Sequence, residues 1–139
     1  MKAMKRTAFF LFALAAVALC SCRTSNTEAV QHRNKASKKL TGYFVYKNDG
    51  STLTVTPRED GRYNVDVDLF RLTRLDDGIG DYTDGGIDFT ATDAGGKPIG
   101  GVISVKGKTA TLTFTRSTWY YLRNGDQLVF KRQKRKKRK

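Results

Sequence analysis

The chain has 139 residues and a formal charge of +13, room for one domain once any targeting segment is set aside. The charge is segregated: residues 41–130 carry ten basic and twelve acidic side chains, while the last nine residues hold eight basic ones, which argues against a basic nucleic-acid-binding face on the globular part. The single histidine, His32, and both cysteines, Cys20 and Cys22, precede residue 40, so the remainder cannot assemble a Ser-His-Asp or Cys-His site or a structural zinc site.

The first residues, MKAMKRTAFFLFALAAVALCSC, join a basic opening to an apolar run from Ala8 to Leu19. That is the order of a secretory signal peptide, and the run is short for the roughly 20 residues of a membrane-spanning helix. Its end, Leu19-Cys20-Ser21-Cys22, resembles the lipobox of bacterial lipoproteins, with Leu19 three residues before Cys22 and the small Ser21 directly before it. The resemblance covers the signal alone. It implies cleavage after residue 21, lipidation of Cys22 and, with Arg23 rather than Asp next, an outer-membrane address on the periplasmic face or the cell surface.

From Arg23 to Lys39 the sequence is polar and lacks a sustained period, which predicts a flexible tether over residues 22–40, with a short helix from Glu28 to Lys39 as the alternative. A coil of that length reaches roughly 20 to 25 Å, enough to hold a domain clear of lipid head groups.

Beyond Leu40 apolar and polar residues alternate: Leu53 and Val55 among threonines, Tyr63 to Leu69 against Asn64, Asp66 and Asp68, Ile87 to Ala91, and Ala110 to Phe114 within a threonine ladder. Turn residues stand between these runs at Asn48-Asp49-Gly50, Asp60-Gly61, Asp77-Gly78, Gly85-Gly86, Gly95-Gly96, Gly107-Lys108 and Asn124-Gly125. The spacing predicts strands over 42–47, 51–57, 62–72, 79–83, 86–92, 98–106, 109–117 and 127–132, with Trp119 to Leu122 extending or preceding the last. The expected fold is therefore all-β, an antiparallel meander of about eight strands over residues 41–130. A closed barrel is favoured over a two-layer sandwich because closure removes exposed strand edges.

The acidic stretch LDDGIGDYTDGG, with Asp76, Asp77, Asp81 and Asp84, offers the oxygen ligands that calcium takes, but its spacing is not that of an EF-hand loop. Aspartate beside glycine in turns is the favoured account, and no metal, cofactor or catalytic residue is assigned. Trp119, Tyr120 and Tyr121 are the candidate ligand contacts, since amphipathic rings beside a loop suit a glycan or a protein partner.

The tail, residues 131–139, reads as a disordered polybasic segment. Its basic residues Lys131, Arg132, Lys134, Arg135, Lys136, Lys137, Arg138 and Lys139 are candidate contacts for anionic lipid, lipopolysaccharide or another polyanion, against the alternative of a solvated end. Size, lipobox and strand count are similar to periplasmic lysozyme-inhibitor lipoproteins. Those carry a Ser-Gly-x-x-Tyr motif, from which Thr41-Gly42-Tyr43-Phe44-Val45 departs at both ends. The expected function is a lipid-anchored, non-catalytic envelope binding protein, with inhibition of lysozyme or another hydrolase as the alternative.

Overall fold

The computed structural model describes residues 38–134. Within them run eight strands: β1 (Gly42–Val45), β2 (Thr52–Pro57), β3 (Tyr63–Leu69), β4 (Thr73–Thr83), β5 (Gly86–Thr92), β6 (Pro98–Lys106), β7 (Thr109–Arg116) and β8 (Gln127–Gln133). Each pairs antiparallel with its neighbours in sequence, and β8 returns to pair with β1, so the meander closes into a barrel. The signal, Cys22, most of the tether and the tail from Arg135 lie outside the described residues.

Alternation builds the interior. On β3, Tyr63, Val65, Val67 and Leu69 are buried while Asn64, Asp66 and Asp68 point outwards, and β7 does the same with Ala110, Leu112 and Phe114 against its threonines. Four phenylalanines, Phe44, Phe89, Phe114 and Phe130, are fully buried beside Leu53, Leu75, Ile87 and Ile103. Leu40, just before β1, and Leu122, between β7 and β8, are buried with them. The barrel axis is a packed core, as expected of small barrels filled by side chains.

Two departures from regular pairing let the sheet curve. The β3–β4 register shifts between Val65 and Val67, and the β6–β7 register shifts at Gly100/Gly101. At the first of these, Asp76 and Asp77 together oppose Asp66. Gly78, next along β4, lies so close to β3 that an added Cβ would run into the Val65 carbonyl.

The expected strands 62–72 and 79–83 require correction here. Asp77-Gly78 does not turn the chain; it lies inside β4, at the bulge, where Asp77 accepts a hydrogen bond from the Thr92 N–H (2.8 Å). The turn falls earlier, at residues 70–72, where Leu72 N–H donates to the Leu69 carbonyl (2.9 Å) and Arg71 takes a positive φ of 59°. A three-residue hairpin loop with a left-handed residue accounts for this geometry. Its sequence, Phe-Arg-Leu, contains none of the residues that signal turns.

Trp119–Leu122 likewise lies outside any strand, in the connection between β7 and β8. At the other end of β8, pairing runs on to Gln133, so Lys131 and Arg132 belong to the barrel and not to the tail. Two places beyond Phe130, Arg132 keeps the inward direction. Its guanidinium lies 4.7 Å from the centre of the Phe44 ring and donates to the carbonyls of Thr41 (2.5 Å) and Lys39 (2.6 Å). Gly42 leaves the space for it, since a Cβ there would crowd the same guanidinium.

Arg132 is thus a clasp across the seam, joining the end of β8 to the segment that enters β1. Arg132→Ala should lower unfolding free energy by about 1 to 3 kcal/mol, from loss of charge-assisted hydrogen bonds and the cation–π contact, and Arg132→Lys should recover only part because an ammonium lacks the planar fork. Denaturant unfolding of the three proteins measures this; an alanine variant as stable as the parent would contradict the clasp.

In the β2–β3 turn, Asp60 accepts hydrogen bonds from the Arg62 side chain (2.8 and 2.9 Å) and backbone N–H (3.0 Å), and from Arg58 (3.2 Å). The Arg62 contacts first, and Arg58 after them, hold its pKa at about 2, below the ordinary 3.8. The folded value lies below the unfolded one, so this contact stabilises the barrel above pH 3.8 and is lost as pH falls through about 2. A carboxyl-carbon NMR titration should place the Asp60 midpoint near 2, and a midpoint near 3.8 would show that the two arginines do not hold it.

Candidate functional site

An even meander sorts its connections between two ends. The β1–β2, β3–β4, β5–β6 and β7–β8 connections share one end, while the β2–β3, β4–β5 and β6–β7 turns share the other with both ends of the described chain. The first is called the loop end and the second the terminal end.

The longest connection, residues 117–126, sits at the loop end and is braced by hydrogen bonds. Ser117 N–H donates to Asn124 Oδ1 (2.7 Å), Trp119 N–H to Ser117 Oγ (3.1 Å) and Arg123 N–H to Asp126 Oδ2 (2.7 Å). Gly125 N–H donates to the Phe114 carbonyl (2.7 Å), and Phe114 N–H to the Asp126 carbonyl (3.0 Å). Buried Leu122 anchors the loop to the core.

On this scaffold the sequence-predicted aromatic residues come together. Trp119 is half-buried against the core and meets Tyr121 edge-on at 6.0 Å between ring centres; Tyr121 meets Tyr120 edge-on at 5.4 Å. Tyr120 is 71% exposed and Tyr121 66%, so both expose ring area held by neighbours rather than by burial. The division expected from an extended strand, Trp119 and Tyr121 on one face and Tyr120 on the other, does not apply to this turn.

Four contributors were not legible in advance. Phe70 and Leu72, in the β3–β4 turn, are 53% and 43% exposed. Leu72 and Tyr121 line one groove of about 230 Å3 with Leu69, Tyr46 and Leu128. Arg71 lies over Phe70 at 5.0 Å and Arg123 over Tyr120 at 4.8 Å. The available signal was Leu69-Phe70, two adjacent apolar residues in an alternating run, one of which had to face water.

Loop-end carboxylates serve the backbone. Asp49 accepts from Ser51 N–H (2.8 Å), Asp93 from Gly95 (2.8 Å) and Lys97 (2.9 Å), and Asp126 from Arg123. Among the described residues neither Arg71 nor Arg123 forms an ion pair, so both guanidinia are open to a ligand.

The acidic stretch of β4 does not gather into a site: among the described residues no three His, Cys, Asp or Glu side chains are placed to hold a metal ion. Asp77 is held below the ordinary carboxylate value by its hydrogen bonds from Thr92, which makes it a poor proton donor at neutral pH. Thr41–Val45, where the lysozyme-inhibitor motif was sought, lies in and beside β1. There Thr41 spends its carbonyl on Arg132.

Of the tail residues, Lys131 projects outwards from β8 and donates to Thr109 Oγ1 (3.0 Å), Arg132 turns inwards and Lys134 is exposed just past the strand. Cys22, Arg135, Lys136, Lys137, Arg138 and Lys139 lie outside the described residues.

The fold is that of a small up-and-down β-barrel whose interior is filled by side chains. Comparison with family models, characterised proteins and solved structures gave no match.

If the exposed rings serve a ligand rather than the core, Tyr120→Ser and Tyr121→Ser should each change unfolding free energy by no more than about 0.5 kcal/mol. Trp119→Ala should cost clearly more, at least about 1 kcal/mol, because it removes half-buried ring area. Chemical denaturation of the three variants measures this, and equal destabilisation by all of them would make the cluster ordinary packing.

Proposed function

We propose that this protein is a lipid-anchored, non-catalytic binding module of the bacterial cell envelope. In this reading Cys22 carries the lipid, the residues between it and Lys38 form a spacer, and the barrel turns its loop end towards a protein or glycan ligand. The outer membrane is the proposed address, on its periplasmic face or at the surface. The basic tail is an accessory contact for anionic lipid, lipopolysaccharide or another polyanion.

The observation that carries the reading is the solvent-exposed set of Tyr120, Tyr121, Phe70 and Leu72 at the end of the barrel opposite the chain termini. Tyrosine, tryptophan and arginine are the side chains that contribute most at binding surfaces, and Arg71 and Arg123 stand among the rings. Support for a non-catalytic role comes from the described carboxylates: at the loop end they are engaged by backbone N–H groups.

Purified protein screened against envelope glycans, lysozymes and proteases should yield a ligand whose affinity falls at least about tenfold in a Tyr120→Ser/Tyr121→Ser variant. Reproducible turnover, abolished by changing a barrel carboxylate, would overturn the reading. Stoichiometric inhibition of a lysozyme would instead favour the hydrolase-inhibitor alternative. For the anchor, metabolic labelling with a fatty-acid analogue should mark the parent and leave Cys22→Ser unmarked; undiminished labelling of that variant would remove Cys22 as the attachment site.

A further inference from the structure

The terminal end divides into two unlike halves. On the side of the β2–β3 and β4–β5 turns acidic residues are present: Asp60 pairs with Arg58 and Arg62, and Asp84 stands in the β4–β5 turn. On the side where β6, β7, β8 and β1 end, three separate stretches of chain contribute basic residues and no acidic ones. Lys38 and Lys39 lead into β1, Lys106 and Lys108 flank Gly107 in the β6–β7 turn, and Lys131, Arg132 and Lys134 close β8.

Pairing brings these stretches together. Lys106 is the register partner of Thr109, Thr109 of Lys131, and Lys131 of Val45, so two lysines flank one threonine in a row across β6, β7, β8 and β1. The Lys108 carbonyl accepts from Arg132 N–H (2.7 Å), and the Arg132 guanidinium reaches the Lys39 carbonyl. All six lysines are exposed, and among the described residues none forms an ion pair.

We propose that this collar is a membrane-docking surface for anionic phospholipid, formed by the folded barrel. It goes beyond the binding-module reading and stands on register and charge without it. Like charges gathered without counter-charges destabilise the fold slightly, so a partner of opposite charge is the natural occupant. A lipid surface fits better than nucleic acid because the open charges of the folded collar are lysines, compact point charges without a planar fork, while its one arginine is engaged within the seam. The exposed ring cluster on which bases would stack lies at the opposite end. Both ends of the described chain leave from this rim, and the sequence adds five basic residues from Arg135 to Lys139.

The test uses the full chain with Cys22→Ser, so that no lipid is attached, and phosphatidylcholine vesicles with and without phosphatidylglycerol. The ratio of the two affinities isolates the electrostatic part from any contribution of the apolar leader. Each lysine brought to an anionic surface contributes roughly a five-fold gain, so Lys106→Gln/Lys108→Gln/Lys131→Gln should lower the ratio at least about tenfold at about 50 mM salt. A control of equal charge change at the loop end, Lys47→Gln/Arg74→Gln/Lys97→Gln, should leave the ratio unchanged, and thermal unfolding of each variant checks that the barrel is intact. Loss confined to a variant neutralised at residues 135–139, or equal loss in collar and loop-end variants, would overturn the proposal. So would tighter binding of duplex DNA than of anionic vesicles at the same salt. None of these outcomes bears on the aromatic end, whose ligand screen is read separately.

Discussion

Closure of β8 onto β1 is the constraint on which the rest of the architecture depends. The two strands share only three paired positions, Tyr43, Phe44 and Val45 against Gln133, Arg132 and Lys131. A seam that short needs reinforcement, and Arg132 supplies it by spanning from β8 to the carbonyls of Lys39 and Thr41 while covering Phe44. Once the seam is shut, no strand edge is left for another chain, and the apolar faces of all eight strands converge on one core. Closure also fixes polarity: with an even number of strands, both termini must leave from the same end.

That polarity separates two kinds of chemistry. The terminal end gathers unpaired lysines from β1, β8 and the β6–β7 turn, and the loop end gathers exposed rings from the β3–β4 and β7–β8 connections. With the interior filled by Phe44, Phe89, Phe114 and Phe130, recognition is left to surfaces. The faint net acidity of residues 41–130 hides this arrangement, because that span holds only Lys106 and Lys108 of the collar and leaves its other basic residues to the flanks.

Much of the fold was legible because alternation is a strong signal wherever one face is dry. Strands β5 and β6 lie where their pattern places them, and turns such as Asn48-Asp49-Gly50 carry the residues their geometry needs. Legibility failed where a local rule was broken for a tertiary reason. Phe70-Arg71-Leu72 turns without glycine, asparagine or proline, since the Ser51 hydroxyl accepts from Phe70 N–H (2.9 Å) and holds the turn from a neighbouring connection. Asp77-Gly78 has the composition of a turn, yet it serves a bulge, where Asp77 reaches Thr92 on β5. Trp119, Tyr120 and Tyr121 were legible as a cluster, but Leu72, which shares a groove with Tyr121, was not, because the two join only through the barrel. At the basic end the expected strand 127–132 and the expected tail 131–139 overlapped, and the pairing of Lys131 and Arg132 with β1 assigns both residues to the strand.

The central claim is that the barrel stands on its terminal end and offers its loop end outwards. The nine residues of β6 separate those ends by roughly 20 Å or more, a distance that short-range quenching resolves. A fluorophore attached at Lys108→Cys, in the β6–β7 turn, or at Lys97→Cys, in the β5–β6 connection, would be compared in the Cys22→Ser chain bound to anionic vesicles carrying a head-group quencher. The account predicts strong quenching at position 108 and little at position 97. Equal quenching at both, or stronger quenching at 97, would contradict it.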